Sequence, residues 1–431
     1  CNDIKKLLFF TPLCYYLAME NKKNKVLIVG NNAAAFATVK KFATYENMEV
    51  YTTNLNVALN DCSTQLDIRE DNIRELLDFV LENEIDLTVA TSATAIKADI
   101  AKTFQDNSQA IFAPTATSAN FAISRAYAKK FLYKMHIPTP KFGIFEKPSI
   151  AMDYLKKSPM PLIISSDEVN DTSVYTACKT VNEARNCVDY MTLQGDDKII
   201  VEEYSYGHNF TVYVITDGYQ ALPITICGDY KFLENGDGGL LTCGIGTFAP
   251  DYKVTFDVLS KVMNNVNNIL SNLERRETPY LGILGIECVL TDIDRFVTTG
   301  FTPYLKDHDA QAVLNSIDEN LYTLMEACTN GSFADDYEGI RTNEKASVGA
   351  VLYSRHDGSQ ISGLNELDDD CKVTHFKTSR NEYLEYLTNK GRTLVLTQEA
   401  LTISSAKKRL YENIELVDFT GKKFRSDICK E

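Results

Sequence analysis

The chain has no C-x-x-C pair among its 11 cysteines, only 5 histidines, each isolated from the others, and no basic run longer than Lys407-Lys408-Arg409. The first two absences leave neither a zinc spacing nor a disulfide framework. The third, with a formal net charge of -15, argues against nucleic acid or an anionic membrane as partner, and a solvated acidic surface is the plain use of that charge. A bilayer-spanning run is also missing. Leu7 to Met19, preceded by Lys5 and Lys6, has the length of a signal-peptide core, but Pro12 interrupts it and no A-x-A cleavage site follows. It reads as an upstream extension, residues 1–23, outside the first domain. Thiols without a framework are expected to be buried and reduced, which suits the cytoplasm. No internal repeat or low-complexity tract is present.

What is there is an ordinary globular composition: 431 residues, 44% hydrophobic, enough to bury large cores in two to four domains. Lys25 to Gly30 (KVLIVG) reads as a buried strand, Ala33 to Thr44 as a helix and Glu49 to Thr53 as the next strand. The helix Ile73 to Glu84 and the strands Leu87 to Thr91 and Ala110 to Ala113 continue this alternation, so a parallel α/β domain is expected over 24–123. Helix Ser124 to Met135 ends at Ile137-Pro138-Thr139-Pro140. Beyond it, strand Pro161 to Ser165, helix Val181 to Leu193 and strands Ile199 to Tyr204, Asn209 to Thr216 and Ala221 to Cys227 show antiparallel, α+β patterning. Helix Phe256 to Arg275, a hairpin across Asp292 to Asp294 and helix Gln311 to Cys328 complete a domain over 124–335, with a lid subdomain at about 137–198. Polar residues 331–345 form a linker to a small strand-rich domain, 346–431.

Particular words sit on these elements in order: ENEIDLTV from Glu82, APTATSANFAISRAYAKKFL from Ala113, VEEY from Val201, DYKFLENGDGGLLTCGIGTFAP from Asp229, Asp307 to Gln311, and DFTGKKFRSDI from Asp418. Together, over about residues 24 to 431, they resemble the phosphoribosylamine-glycine ligase family, ATP-grasp enzymes that make glycinamide ribonucleotide in purine synthesis. The resemblance implies an N-terminal Rossmann-like (pre-ATP-grasp) domain, an ATP-grasp domain and a small C-terminal domain. It also implies ATP and magnesium as cofactors, with ATP phosphorylating a carboxylate that an amine then attacks.

The charged words depart from that pattern at three places. The family's V-I-E-F-N-C-R-F-G-D-P-E-T-Q, whose Glu and Asn hold magnesium and whose Arg approaches substrate, is here TTGFTPYLKDHDAQ, Thr298 to Gln311. Gly300 and Thr302 replace the metal ligands, and Tyr304 replaces the Arg, so no metal site is expected. Asp307 and Glu287 are the acids that remain nearby, with a loop or strand-face role as the plainer use of each. The phosphate-covering K-A-D-G-L-A-A-G-K-G-V becomes SSDEVNDTSVY, Ser165 to Tyr175, without lysine or glycine and with Glu168 and Asp171 added. The turn G-N-G-G-R-E-H-A becomes GNNAAAFA, Gly30 to Ala37, and G-P-E-A-P-L becomes TSATAI, Thr91 to Ile96.

Residual ATP-binding candidates are Arg125, in place of a family Lys, Lys129, Glu202, Glu203 and Lys231. Residual substrate candidates are Gly30, Asn31, Asp237, Thr242, Gly244, Gly246 and Asp307; backbone geometry explains a retained glycine as well as a ligand does. No catalytic residue stands out. The sequence reads as a homologue whose ligase activity is absent or strongly reduced and whose binding of ATP and magnesium is in doubt. An active ligase, an ATP-grasp enzyme for another acid and amine, and a non-enzymatic module for a nucleotide-like metabolite or a protein are the alternatives.

Overall fold

The structure, a computed structural model, describes residues 23–168, 174–196 and 198–430. The upstream extension therefore lies outside the described residues. The first sheet is parallel, in the order β3-β2-β1-β4-β5. Its strands are β1 (Asn24–Val29), β2 (Met48–Thr52), β3 (Thr64–Gln65), β4 (Leu87–Ala90) and β5 (Ile111–Phe112). Val26 to Val29 are fully buried, as a strand covered on both faces requires. The helix Ala33–Phe42 starts abruptly because the Asn32 side chain accepts from the Ala35 N–H, and Ala33 to Ala35 add helix propensity with little bulk. Strand order reverses between β1 and β4. A crevice opens there, beyond the carboxyl ends of both strands, where such sheets place ligands.

A small antiparallel sheet follows, β6-β9-β7-β8, from β6 (Phe142–Phe145), β7 (Leu162–Ser166), β8 (Tyr175–Cys178) and β9 (Ile199–Glu203). Leu155, Leu162, Ile164, Val188, Met191 and Val201 give it a core of its own. Next come β10 (His208–Asp217), β11 (Ala221–Glu234), β12 (Gly238–Ala249), β13 (Leu281–Asp292), β14 (Arg295–Thr302) and β15 (Ala346–Ser354). After these follow β16 (Cys371–His375), a ribbon of β17 (Thr378–Arg380) and β18 (Tyr386–Thr388), and β19 (Gly391–Ala400). The large sheet runs β14-β13-β10-β11-β12-β15-β19-β16.

Two features differ from the sequence reading. Asp229 to Pro250, given no element in the sequence reading, is mostly two long paired strands, with the turn confined to residues 235–237, where Gly236 and Asp237 take positive φ. The C-terminal strands also extend the large sheet, since β12 pairs with β15 from Gly246↔Ala350 to Ala249↔Ser347. A helix, Ile403–Leu416, then covers them through Ala406, Leu410 and Ile414. Gly246 is needed at this seam because a Cβ there would meet Ile428 Cδ1 at 2.4 Å.

Arg425 ties the tail to the β11–β12 turn. It is 1% exposed, donates to Asp427 at 2.7 and 2.8 Å, to Asp237 at 2.8 Å and to the Phe232 carbonyl at 3.1 Å, and lies over the Tyr230 ring. Replacing it strands the largely buried Asp427. Arg425→Ala is expected to lower stability in urea by about 2 to 4 kcal/mol, and Arg425→Lys, which keeps the charge but not the fork, by less. A loss below about 0.5 kcal/mol for the alanine variant would contradict this role.

Candidate functional site

The crevice continues into a cavity of about 520 Å3 between the first sheet, the helix Arg125–Lys134 and strands β9 and β12 to β14. Its walls bring together Asn31, Arg125, Lys129, Glu202, Lys231, Thr242 and Asp307, seven of the sequence candidates, along with Gly300 and Thr302. Gly30, Glu203, Asp237, Gly244 and Gly246 do not line it.

The floor is built from ion pairs. Lys129, 1% exposed, pairs with Glu202 and donates to the Thr299 carbonyl at 2.7 Å, so two of the ATP-binding candidates bind each other. Lys231 Nζ lies 2.7 Å from Glu287 and 3.9 Å from Asp229. Lys306 Nζ lies 2.5 Å from Asp229 and 3.4 Å from Asp309, and donates to Thr211 Oγ1 at 2.9 Å. His308 Nε2 is 2.9 Å from Asp229 and 3.2 Å from Asp309, whose other oxygen accepts from Tyr213 at 2.7 Å. Burial alone would raise the Asp229 carboxyl pKa, but Lys306, His308 and Lys231 outweigh it and hold it well below the usual range. Burial would likewise discharge Lys306, yet Asp229 and Asp309 keep its pKa above the ordinary value.

Gly244 belongs to this cluster sterically. Its φ is +121°, and a Cβ would fall 1.9 Å from the His308 ring. Thr242 fixes the same bend, donating to the Lys231 carbonyl and accepting from the Gly244 N–H.

On the opposite wall, the start of helix Ala33–Phe42 is already satisfied by the protein. Asp307 accepts from the Ala34 N–H at 3.1 Å while its other oxygen takes Arg392 at 3.1 Å. An acid expected to contact substrate thus caps a helix and an arginine. Gly30 has a packing reason to be glycine, since a Cβ would meet Thr91 Oγ1 at 2.2 Å. Glu203 sits at the rim, 3.4 Å from Lys141.

The phosphate-loop segment is described at its ends, whereas Asp171 and Ser173 lie outside the described residues. Arg125 points back at it, donating to the carbonyls of Ser166 and Glu168 and lying over the Tyr175 ring at 5.2 Å.

Lys306, His308, Asp229, Asp309 and Arg392 were missed as site residues. Lys306 and His308 carried a signal, because they stand where the family word has Gly and Pro. Residues gained in that word matter as much as the ligands lost.

Comparison with known proteins supplies the family. The phosphoribosylglycinamide synthetase N domain matches residues 24–121, its ATP-grasp (A) domain 123–299 and its C domain 353–431. The chain belongs to the phosphoribosylglycinamide synthetase family. It is 27% identical to the phosphoribosylamine-glycine ligase of Neisseria meningitidis serogroup B over 422 residues, 94% of this chain and 98% of that protein. The crystal structure of the Thermotoga maritima phosphoribosylamine-glycine ligase superposes with a TM-score of 0.78 at 20% identity, covering 94% and 99% of the two chains. Campylobacter jejuni biotin carboxylase shares the fold more distantly, with a TM-score of 0.71 at 11% identity and 94% coverage of each chain.

The family's ATP-grasp domain binds ATP and magnesium, and the residues here can be tested against both. Gly300 offers no ligand, and Thr302 donates its hydroxyl to the Tyr304 carbonyl. Glu287, directly across the sheet from Gly300, is held by Lys231. Among the described residues no three His, Cys, Asp or Glu side chains are grouped to hold a metal. The set does not fit a hard dication.

Burial alone would raise the Glu287 pKa from its ordinary 4.5, but Lys231 and Lys306 bring it down to about 2. The contribution to stability is therefore complete above pH 4.5 and is lost as pH falls toward 2. In Lys231→Met, stability at pH 7 should drop by about 3 to 5 kcal/mol. Urea unfolding free energies of that variant should also fall less steeply from pH 4.5 to 2 than those of the unmodified chain. Equal slopes would show that Lys231 does not hold the Glu287 charge.

Proposed function

We propose that this member of the family has no phosphoribosylamine-glycine ligase activity, or a strongly reduced one, and that its cavity serves to bind a small polar metabolite. One observation carries the reading. Lys231 and Lys306 lie in ion pairs with Glu287, Asp229 and Asp309, beside the positions where Gly300 and Thr302 replace the expected metal ligands. Using either lysine on a triphosphate would strand a carboxylate, and using either acid on magnesium would strand a lysine. The cavity of about 520 Å3 is of the size that small ligands occupy, which favours retained binding over a purely structural role. Nine free thiols among the described residues fit a reducing compartment, and the cytoplasm is the proposed location.

The chain is expected not to support growth of a purine auxotroph that lacks this ligase. Its glycine-dependent ADP release should lie at least about a thousandfold below that of the Neisseria relative assayed beside it, the scale of losing transition-state charge stabilisation. A glutamate at 300 has room, since a Cβ there meets nothing within 4 Å. Gly300→Glu with Thr302→Asn is nevertheless expected to leave growth absent, because the phosphate-loop lysines are still missing. Growth by the unmodified chain would overturn the proposal.

A further inference from the structure

Beyond the main cavity lies a second space of about 40 Å3, bounded by Pro140, Ile163, Tyr204, Leu241 and Val289, with Glu203 and Ser205 beside them. Apolar faces at the end of β9 suit a flat ring. The space holds only a few waters, at about 10 to 15 Å3 each, and no purine. Four residues face both spaces and form the partition: Tyr175, Glu202, Lys231 and Thr299. Three of them are fixed by charge, Glu202 to Lys129, Lys231 to Glu287, and Thr299 through its carbonyl to Lys129. Tyr175 is the member of this set held by stacking, against Arg125.

Its position follows from strand register. Tyr175 pairs with Ser165 across β7 and β8, so their side chains share a face. Ser165, which stands where the family word begins with Lys, is fully buried and its hydroxyl has no hydrogen-bond partner. A small residue on β7 faces a large ring on β8, and the ring takes up space that a longer β7 side chain would enter. Burial pushes the Tyr175 phenol up to about 12, so the ring stays neutral beside Lys231 and Glu202.

We propose that Tyr175 is a specificity-determining residue that closes the slot to a nucleobase, so that the cavity selects ligands without one. This rests on the reading that the site no longer handles ATP. The test uses adenosine, which has a base and no phosphate, titrated calorimetrically into the full chain and into folded Tyr175→Ala and Tyr175→Phe variants. The unmodified chain and the phenylalanine variant should show no saturable binding. The alanine variant should bind at least about tenfold more tightly. Tyr175→Val, which suits a strand, supplies the same comparison if the alanine variant does not fold. Adenosine binding equally well to the unmodified chain, or failing to gain affinity in a folded small-residue variant, would overturn the proposal. Ligation by the unmodified chain would instead sink the loss of ligase activity while leaving the adenosine comparison readable.

Discussion

A charge taken out of water has to be neutralised by its surroundings, and this requirement governs the centre of the molecule. Lys129 and Glu202 have side chains only 2% and 7% exposed, and Asp229, Asp309 and His308 are fully buried. Lys129 and Glu202 match each other across elements, Asp229 is matched by Lys306 from another element, and Asp309 meets Lys306 of its own segment. Asp229 and Lys231 come from β11, Glu287 from β13, and Lys306, His308 and Asp309 from the segment after β14. The same pairs that make these charges tolerable hold that segment against the large sheet. Architecture and electrostatics are thus one arrangement, and the arrangement leaves the cations committed.

Much of the fold was legible because local pattern and tertiary role agree. KVLIVG is apolar throughout, and as β1 it is covered on both faces. The Pro138-Pro140 break ends a helix as its backbone chemistry dictates. Where reading failed, a competing cue misled. Gly236, Gly238 and Gly239 obscure the strand pattern between Asp229 and Pro250, although they serve only a tight turn and the start of the strand after it. The C-terminal strands were legible as a small domain, but their continuity with the large sheet is a nonlocal property, visible only through pairs such as Gly246 with Ala350.

The site was legible in its losses and opaque in its gains. Gly300 and Thr302 could be seen to lack the charge of metal ligands without knowing where they lie. That Lys306 meets Asp229 could not be seen, since the partners are 77 residues apart in the chain. Asp307, a substrate candidate from its place in a recognisable word, lines the cavity, and its oxygens serve the Ala34 N–H and Arg392. A residue kept in frame keeps its position, and its partners decide its work.

This coupling also bears on how such a site can change. A carboxylate at 300 would face Glu287 across β13 and β14 and share Lys231 with it. Two acids around one ammonium hold a proton or repel each other; they do not by themselves make a dication site. Removing Lys231 as well would release Glu287, while Asp229 would retain Lys306 and His308. Acid gain at 300 and cation loss at 231 are therefore linked through Glu287, and their free energies cannot be added as independent terms. Either change alone leaves an unbalanced charge beside Glu287.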